Sequence, residues 1–97
     1  MISNVNFESN CKRIAKEIQV ECNNPTSDAV CLGSTEVIVS KSLIHDFNTT
    51  GTKNYISGIN KYLKACKVTY KTHGYGHGWF IIFDIEFDDV DAEVEDW

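Results

Sequence analysis

Apolar positions along the first quarter of the chain recur with helical spacing. Phe7, Cys11, Ile14, Ala15, Ile18 and Cys22 fall on one stripe, with Glu8, Lys12, Arg13, Lys16, Glu17 and Glu21 around the remaining surface. The pattern predicts a helix from about Phe7 to Asn23, capped by Asn6 and stopped by Asn23-Asn24-Pro25. Two short apolar runs follow, Ala29–Leu32 and Glu36–Val39. They flank Gly33-Ser34, which suits a tight hairpin turn, with a single strand at 36–39 preceded by a loop as the alternative. Ser40 is placed to cap a short helix over Lys41–Phe47 that buries Leu43, Ile44 and Phe47, and Asn48–Gly51 reads as a loop. From Lys53 to Cys66 the helical period returns through Tyr55, Ile56, Ile59, Tyr62, Leu63 and Cys66, with Thr52 as the cap. Gly58 inside that helix costs about 1 kcal/mol relative to alanine, so a close contact is expected there.

The last third changes to a period of two. Lys67–Thr72 alternates bases or threonine with Val68 and Tyr70, and Trp79–Phe87 places Trp79, Ile81, Phe83, Ile85 and Phe87 on one face. Pairing Tyr70 with Ile81 and Val68 with Phe83 buries four apolar residues and sets Lys67 opposite Asp84. These elements predict an α+β fold of order α-β-β-α-α-β-β. An antiparallel sheet of three or four strands would pack against two or three helices and end in a hairpin. Residues 1–88 are expected to form one domain, followed at 89–97 by an acidic tail or a last helical turn through Val90, Val94 and Trp97.

Composition narrows the class. The longest apolar run, Trp79–Phe83, is far short of the about 20 residues of a membrane helix. The N-terminus shows no basic region leading into an apolar one, and the expectation is a cytoplasmic protein without membrane association. Cys11 and Cys22, eleven residues apart on one helix, would stand roughly 16 Å apart, too far for a shared disulfide or metal. Cys31 and Cys66 have no cysteine close in sequence, so the thiols are expected to be free and no cofactor is implied.

Charge is unevenly distributed. Asp84, Glu86, Asp88, Asp89, Asp91, Glu93, Glu95 and Asp96 hold eight of the fourteen acidic groups, with no base among residues 84–97. The remaining residues carry six acids against nine bases. A mildly basic body thus bears an acidic end.

Three chemistries compete for this sequence. The loop Thr72-His73-Gly74-Tyr75-Gly76-His77-Gly78 holds two histidines that an enzyme would use as acid and base, or to hold a metal or phosphate. Tyr75 or Lys71 would then stabilise charge. No nucleophile or orienting carboxylate stands at a recognisable spacing, and no third metal ligand lies close, so no catalytic or metal-binding set is assigned. Lys53, Lys61, Lys64, Lys67 and Lys71, with Tyr70 and Tyr75, offer the bases and aromatics of a nucleic-acid-binding face. The acidic end would compete with phosphate for those lysines. The carboxylates from Asp84 to Asp96, with Trp97 or Trp79 as an aromatic anchor and Tyr75 as a further contact, fit a third role: occupying a partner protein's basic, nucleic-acid-binding surface. In size, charge and lack of a catalytic motif the chain is similar to the small acidic proteins with which phages block host restriction or CRISPR nucleases. That likeness implies a non-enzymatic inhibitor and nucleic-acid mimic.

Overall fold

The computed structural model describes residues 3–88, and the expected tail or helical turn at 89–97 lies outside the described residues. Helix α1 (Ser3–Cys22) is followed by α2 (Asp28–Leu32), β1 (Ser34–Val39), α3 (Lys41–Thr50), α4 (Thr52–Asn60), β2 (Cys66–Tyr75) and β3 (Trp79–Phe87). The three strands form one antiparallel sheet in the order β1-β3-β2, and the chain closes on the β2–β3 hairpin. The fold class is therefore α+β, as the periodicities predict.

One face of the sheet carries the core. Val37 and Val39 of β1, Ile81, Phe83 and Ile85 of β3, and Cys66 and Val68 of β2 are buried there. Cys11, Ile14, Ala15 and Ile18 of α1, Leu43, Ile44 and Phe47 of α3, and Tyr55 and Ile59 of α4 pack against them. α1 lies against α4, β1 and α2, while α4 covers β2. Gly58 is where α4 meets α1: an added Cβ would stand 2.6 Å from Cys11 Sγ and 3.0 Å from Phe7 Cζ. The close contact expected there is present.

Several elements depart from the sequence pattern. Residues 28–32 form a helix, not the first strand of a hairpin. Ser27 Oγ accepts from the Ala29 amide at 3.1 Å, Asp28 opens the first turn, and Gly33 ends the helix at φ 73°. Capping at both ends outweighs the strand preference of Val30 and Cys31. The single strand at 36–39 holds, extended to Ser34, but a helix and not the expected loop precedes it. α1 begins at Ser3, so Asn6 lies inside it. Ser40 caps α3, accepting from Leu43 N at 3.1 Å, and α3 continues through the expected loop to Thr50. Thr52 is the first residue of α4 and makes no cap hydrogen bond; Gly51 holds the cap position.

α4 stops at Asn60, so Cys66 is the first residue of β2 and no longer helical. Two side-chain amides hold that reversal. Gln19 accepts from Lys64 N at 2.7 Å and donates to Lys64 O at 3.1 Å. Asn60 accepts from Val68 N at 2.8 Å and donates to Val68 O at 3.0 Å. Between them Ala65 adopts the left-handed conformation at φ 65°, which a β-carbon disfavours.

The hairpin register is shifted by two residues from the one expected: Val68 pairs with Ile85, Tyr70 with Phe83, and Lys67 with Glu86. A shift of two leaves each side chain on its expected face. A bulge between Tyr70 and Thr72 leaves Lys71 unpaired, and the ladder then continues to Tyr75↔Trp79. Most of the expected glycine loop is therefore strand, and only residues 76–78 turn.

Candidate functional site: the open sheet face and its edges

The face of the sheet turned away from the core bears Ser34, Glu36 and Ile38 of β1, and Phe80, Ile82, Asp84 and Glu86 of β3. Lys67, Thr69, Thr72 and Gly74 of β2 complete it. Among the described residues no helix covers this face. It has two ends. At one, Ile38 lies opposite Phe80, and the Phe80 ring covers Gly74 so closely that a Cβ there would meet Cζ at 2.8 Å. Ile82 adjoins them, and Ile38 is 57% exposed. At the other end Asp84 and Glu86 stand two residues apart on β3. Asp88, two further on, continues the ladder, its amide donating to Ala65 O at 3.1 Å. Every second strand residue lies about 6.6 Å from the last, so Asp84 and Glu86 form a row on one face, and Asp88 follows just beyond the end of β3.

Two of those carboxylates have lysine neighbours. Lys71 Nζ lies 3.9 Å from Asp84 Oδ1, and Lys67 Nζ lies 3.9 Å from Glu86 Oε1. All four side chains are at least half exposed, and contacts of this kind contribute about 0–1 kcal/mol. The bulge brings Lys71 to Asp84, the group that sequence pairing had matched to Lys67.

The remaining expected site residues separate. Tyr75 is 66% exposed at the hairpin end, its ring 5.0 Å from that of Trp79. His73 sits opposite Ile81, its Nδ1 2.7 Å from the Tyr70 hydroxyl, while His77 occupies the turn. Asp89, Asp91, Glu93, Glu95, Asp96 and Trp97 lie outside the described residues. Among the described residues no group of three His, Cys, Asp or Glu side chains converges to hold a metal.

The lysines of the nucleic-acid-binding alternative do not gather either. Lys67 and Lys71 belong to the open sheet face. Lys61 follows α4 on the helical side, 3.9 Å from Glu8 Oε2. Three of the five thus lie beside carboxylates.

The buried polar groups join helices. The Tyr55 hydroxyl donates to the Asp46 carboxylate and accepts from Asn10 Nδ2 at 3.1 Å, tying α4 to α3 and α1. Burial, then the bond to Asp46, raises the Tyr55 hydroxyl above its usual range. Tyr62 donates to Glu8 at 2.6 Å, and that bond holds the Glu8 carboxyl below its usual value. Burial pushes the Cys11 thiol up to about 11. Burial, and then a hydrogen bond with Cys66, pushes Cys22 up to about 12. Cys22, at the end of α1, thus lies near Cys66, the first residue of β2, a proximity that a helical Cys66 concealed.

Between β1, α1 and α2 lies a groove of about 720 Å³ that sequence reasoning did not find. Val20 and Leu32, 59% and 75% exposed, line it, with Thr35 and Val37 along the strand. Its charged lining is Glu17, Glu21, Asp28 and Glu36 against Lys16, and Arg13 Nη1 lies 3.4 Å from Glu17 Oε2. Exposed Val20, off the apolar stripe of α1, was the one signal in the sequence.

Comparison with known families, curated proteins and solved structures finds no match. Among the described residues no helix is long and apolar enough to cross a membrane.

Proposed function

We propose that this protein is a non-enzymatic binding protein that occupies, and so inhibits, a basic surface of a protein partner. The observation that carries this reading is the two-ended open face of the sheet. Ile38, Phe80 and Ile82 supply an apolar end, with Glu36 beside Ile82, and Asp84, Glu86 and Asp88 supply an acidic end. An apolar patch beside a row of like charges gives a partner both an anchor and a charge to match. The row's sign selects a partner rich in lysine and arginine. Lys67 and Lys71 offset part of the charge, but their exposed contacts are weak enough for a partner's cations to displace.

The carboxylate row leads in sequence into Asp89, Asp91, Glu93, Glu95, Asp96 and Trp97, and Tyr75 borders the same sheet. A partner that normally holds nucleic acid has the basic surface this row requires. Inhibition of a nucleic-acid-processing complex, of the phage anti-restriction or anti-CRISPR type, is the specific form proposed, acting in the cytoplasm.

Affinity capture with tagged protein from the native host, followed by elution with DNA or RNA, tests the proposal. A basic nucleic-acid-processing protein should be retained and released by added nucleic acid. Retention of nucleic acid alone, removed by high salt, would refute it and move the function to the lysines.

A further inference from the structure

We propose that the free edge of β1, with the acidic groove beneath it, is a second docking site. It would take an extended, lysine- or arginine-bearing peptide segment as an added strand. This inference shares Glu36 and Ile82 with the open face, but it rests on the outward backbone groups of β1 and on the helical wall of the groove, which the open-face reading does not use.

The hydrogen-bond phase of the sheet identifies which groups are available. Ile85 N donates to Gly33 O at 2.8 Å, so in the antiparallel ladder Thr35, Val37 and Val39 bond inward to β3. The N–H and C=O groups of Ser34, Glu36 and Ile38 then point away from the sheet, and among the described residues no strand pairs with them. Six residues at about 3.3 Å each give a usable edge of roughly 20 Å.

The opposite edge is closed by three devices, which makes the openness of β1 informative. The outward N–H and C=O of Val68 are both taken by the Asn60 amide, at 2.8 and 3.0 Å. The bulge at Tyr70/Thr72 breaks the edge, and Lys67 and Lys71 line it. These are the means by which edge strands are protected from pairing. β1 carries only Glu36.

Charge chooses the occupant. A strand added to β1 would alternate its side chains between the open face, beside Glu36 and Ile38, and the groove, between Val20, Leu32 and Val37. Glu36 on one side and Glu17, Glu21 and Asp28 on the other favour lysine or arginine. Two copies of this chain pairing through β1 would instead set Glu36 near Glu36, which like-charge repulsion opposes. A peptide of main-chain hydrogen bonds, basic side chains and apolar residues for the groove is the ligand class, bound by strand addition.

The test uses the full chain, 15N-labelled, with two end-blocked hexapeptides, one alternating lysine and valine and one alternating glutamate and valine. The lysine peptide should shift the amides of Ser34, Glu36 and Ile38 and slow their hydrogen exchange. The glutamate peptide should bind at least about tenfold more weakly. Val20→Lys with Leu32→Lys, at two exposed positions, should weaken the lysine peptide about tenfold or more and leave the rest of the spectrum native. Asp84→Asn with Glu86→Gln should weaken it by less than about threefold, well below the effect of the groove variant, which separates this site from the open face. Equal binding of the two peptides, no binding by either, or shifts confined to the acidic C-terminal run or the β2 edge would overturn the proposal.

Discussion

At Gly58 a single hydrogen stands where a methyl group would press on the Cys11 sulfur from 2.6 Å and on the Phe7 ring from 3.0 Å. Cys11 is buried, and its thiol also reaches toward Tyr55 O at 3.9 Å, so it has little room to yield. Gly58→Ala gains helix propensity but forces α1 and α4 apart. We expect a net loss of about 1–3 kcal/mol in denaturant unfolding. The need for a small residue was legible, because a glycine inside an otherwise periodic helix calls for a contact. The cysteines were legible only in part. Their core periodicity and distance along α1 were plain, but the Cys22–Cys66 contact depends on a chain reversal with no local signal. Alkylation with iodoacetamide under native conditions, read by mass spectrometry, should modify exposed Cys31 first. Cys22, pushed up to about 12, and buried Cys11, pushed up to about 11, should follow far more slowly, since the thiolate is the reacting form.

Elements with their own packed stripe or alternating face were readable: α1, α3, β1 and both strands of the hairpin. Where the sequence misled, tertiary or capping interactions decided. The run Ala29–Leu32 has strand-forming residues, yet Ser27 and Gly33 cap it as a helix. The apolar period through Tyr62, Leu63 and Cys66 continues past Asn60, but the Gln19 and Asn60 amides bind the backbone and turn it into β2. A clamp formed by residues 45 positions apart leaves no mark in a local window. Asn60→Ala removes both bonds to Val68 and leaves that edge backbone unpaired. The expected cost is about 1–3 kcal/mol in thermal or denaturant unfolding, with accelerated hydrogen exchange at Val68 and little change in the α1–α3 core. The bulge at Tyr70/Thr72 was likewise hidden, because alternation alone does not reveal an unpaired Lys71.

At the scale of the whole molecule, the helices gather on one side of a three-stranded sheet, and among the described residues none covers the other side. The acidic row of β3 was visible in the sequence as charge, and Asp84 and Glu86 fell on the expected face. The apolar cluster beside it was less visible, since Phe80 and Ile82 interrupt what reads as one continuous core strand. The groove under β1 was hidden, because it is assembled from three elements. Charge at the open face should act through long-range attraction as well as contact, so association with a basic partner should slow and weaken as salt rises.

If the carboxylates of the open face carry partner recognition, isosteric neutralisation should abolish it. Asp84→Asn, Glu86→Gln and Asp88→Asn together keep shape while removing three charges. The variant should retain the unfolding midpoint to within a few degrees, since each exposed ion pair contributes only about 0–1 kcal/mol. Its capture of the partner from the native host, compared quantitatively with the unaltered protein at equal salt, is the deciding measurement. A loss of about tenfold or more with the fold intact is the predicted result. Recovery of the same partner in the same amount by both proteins would contradict the account.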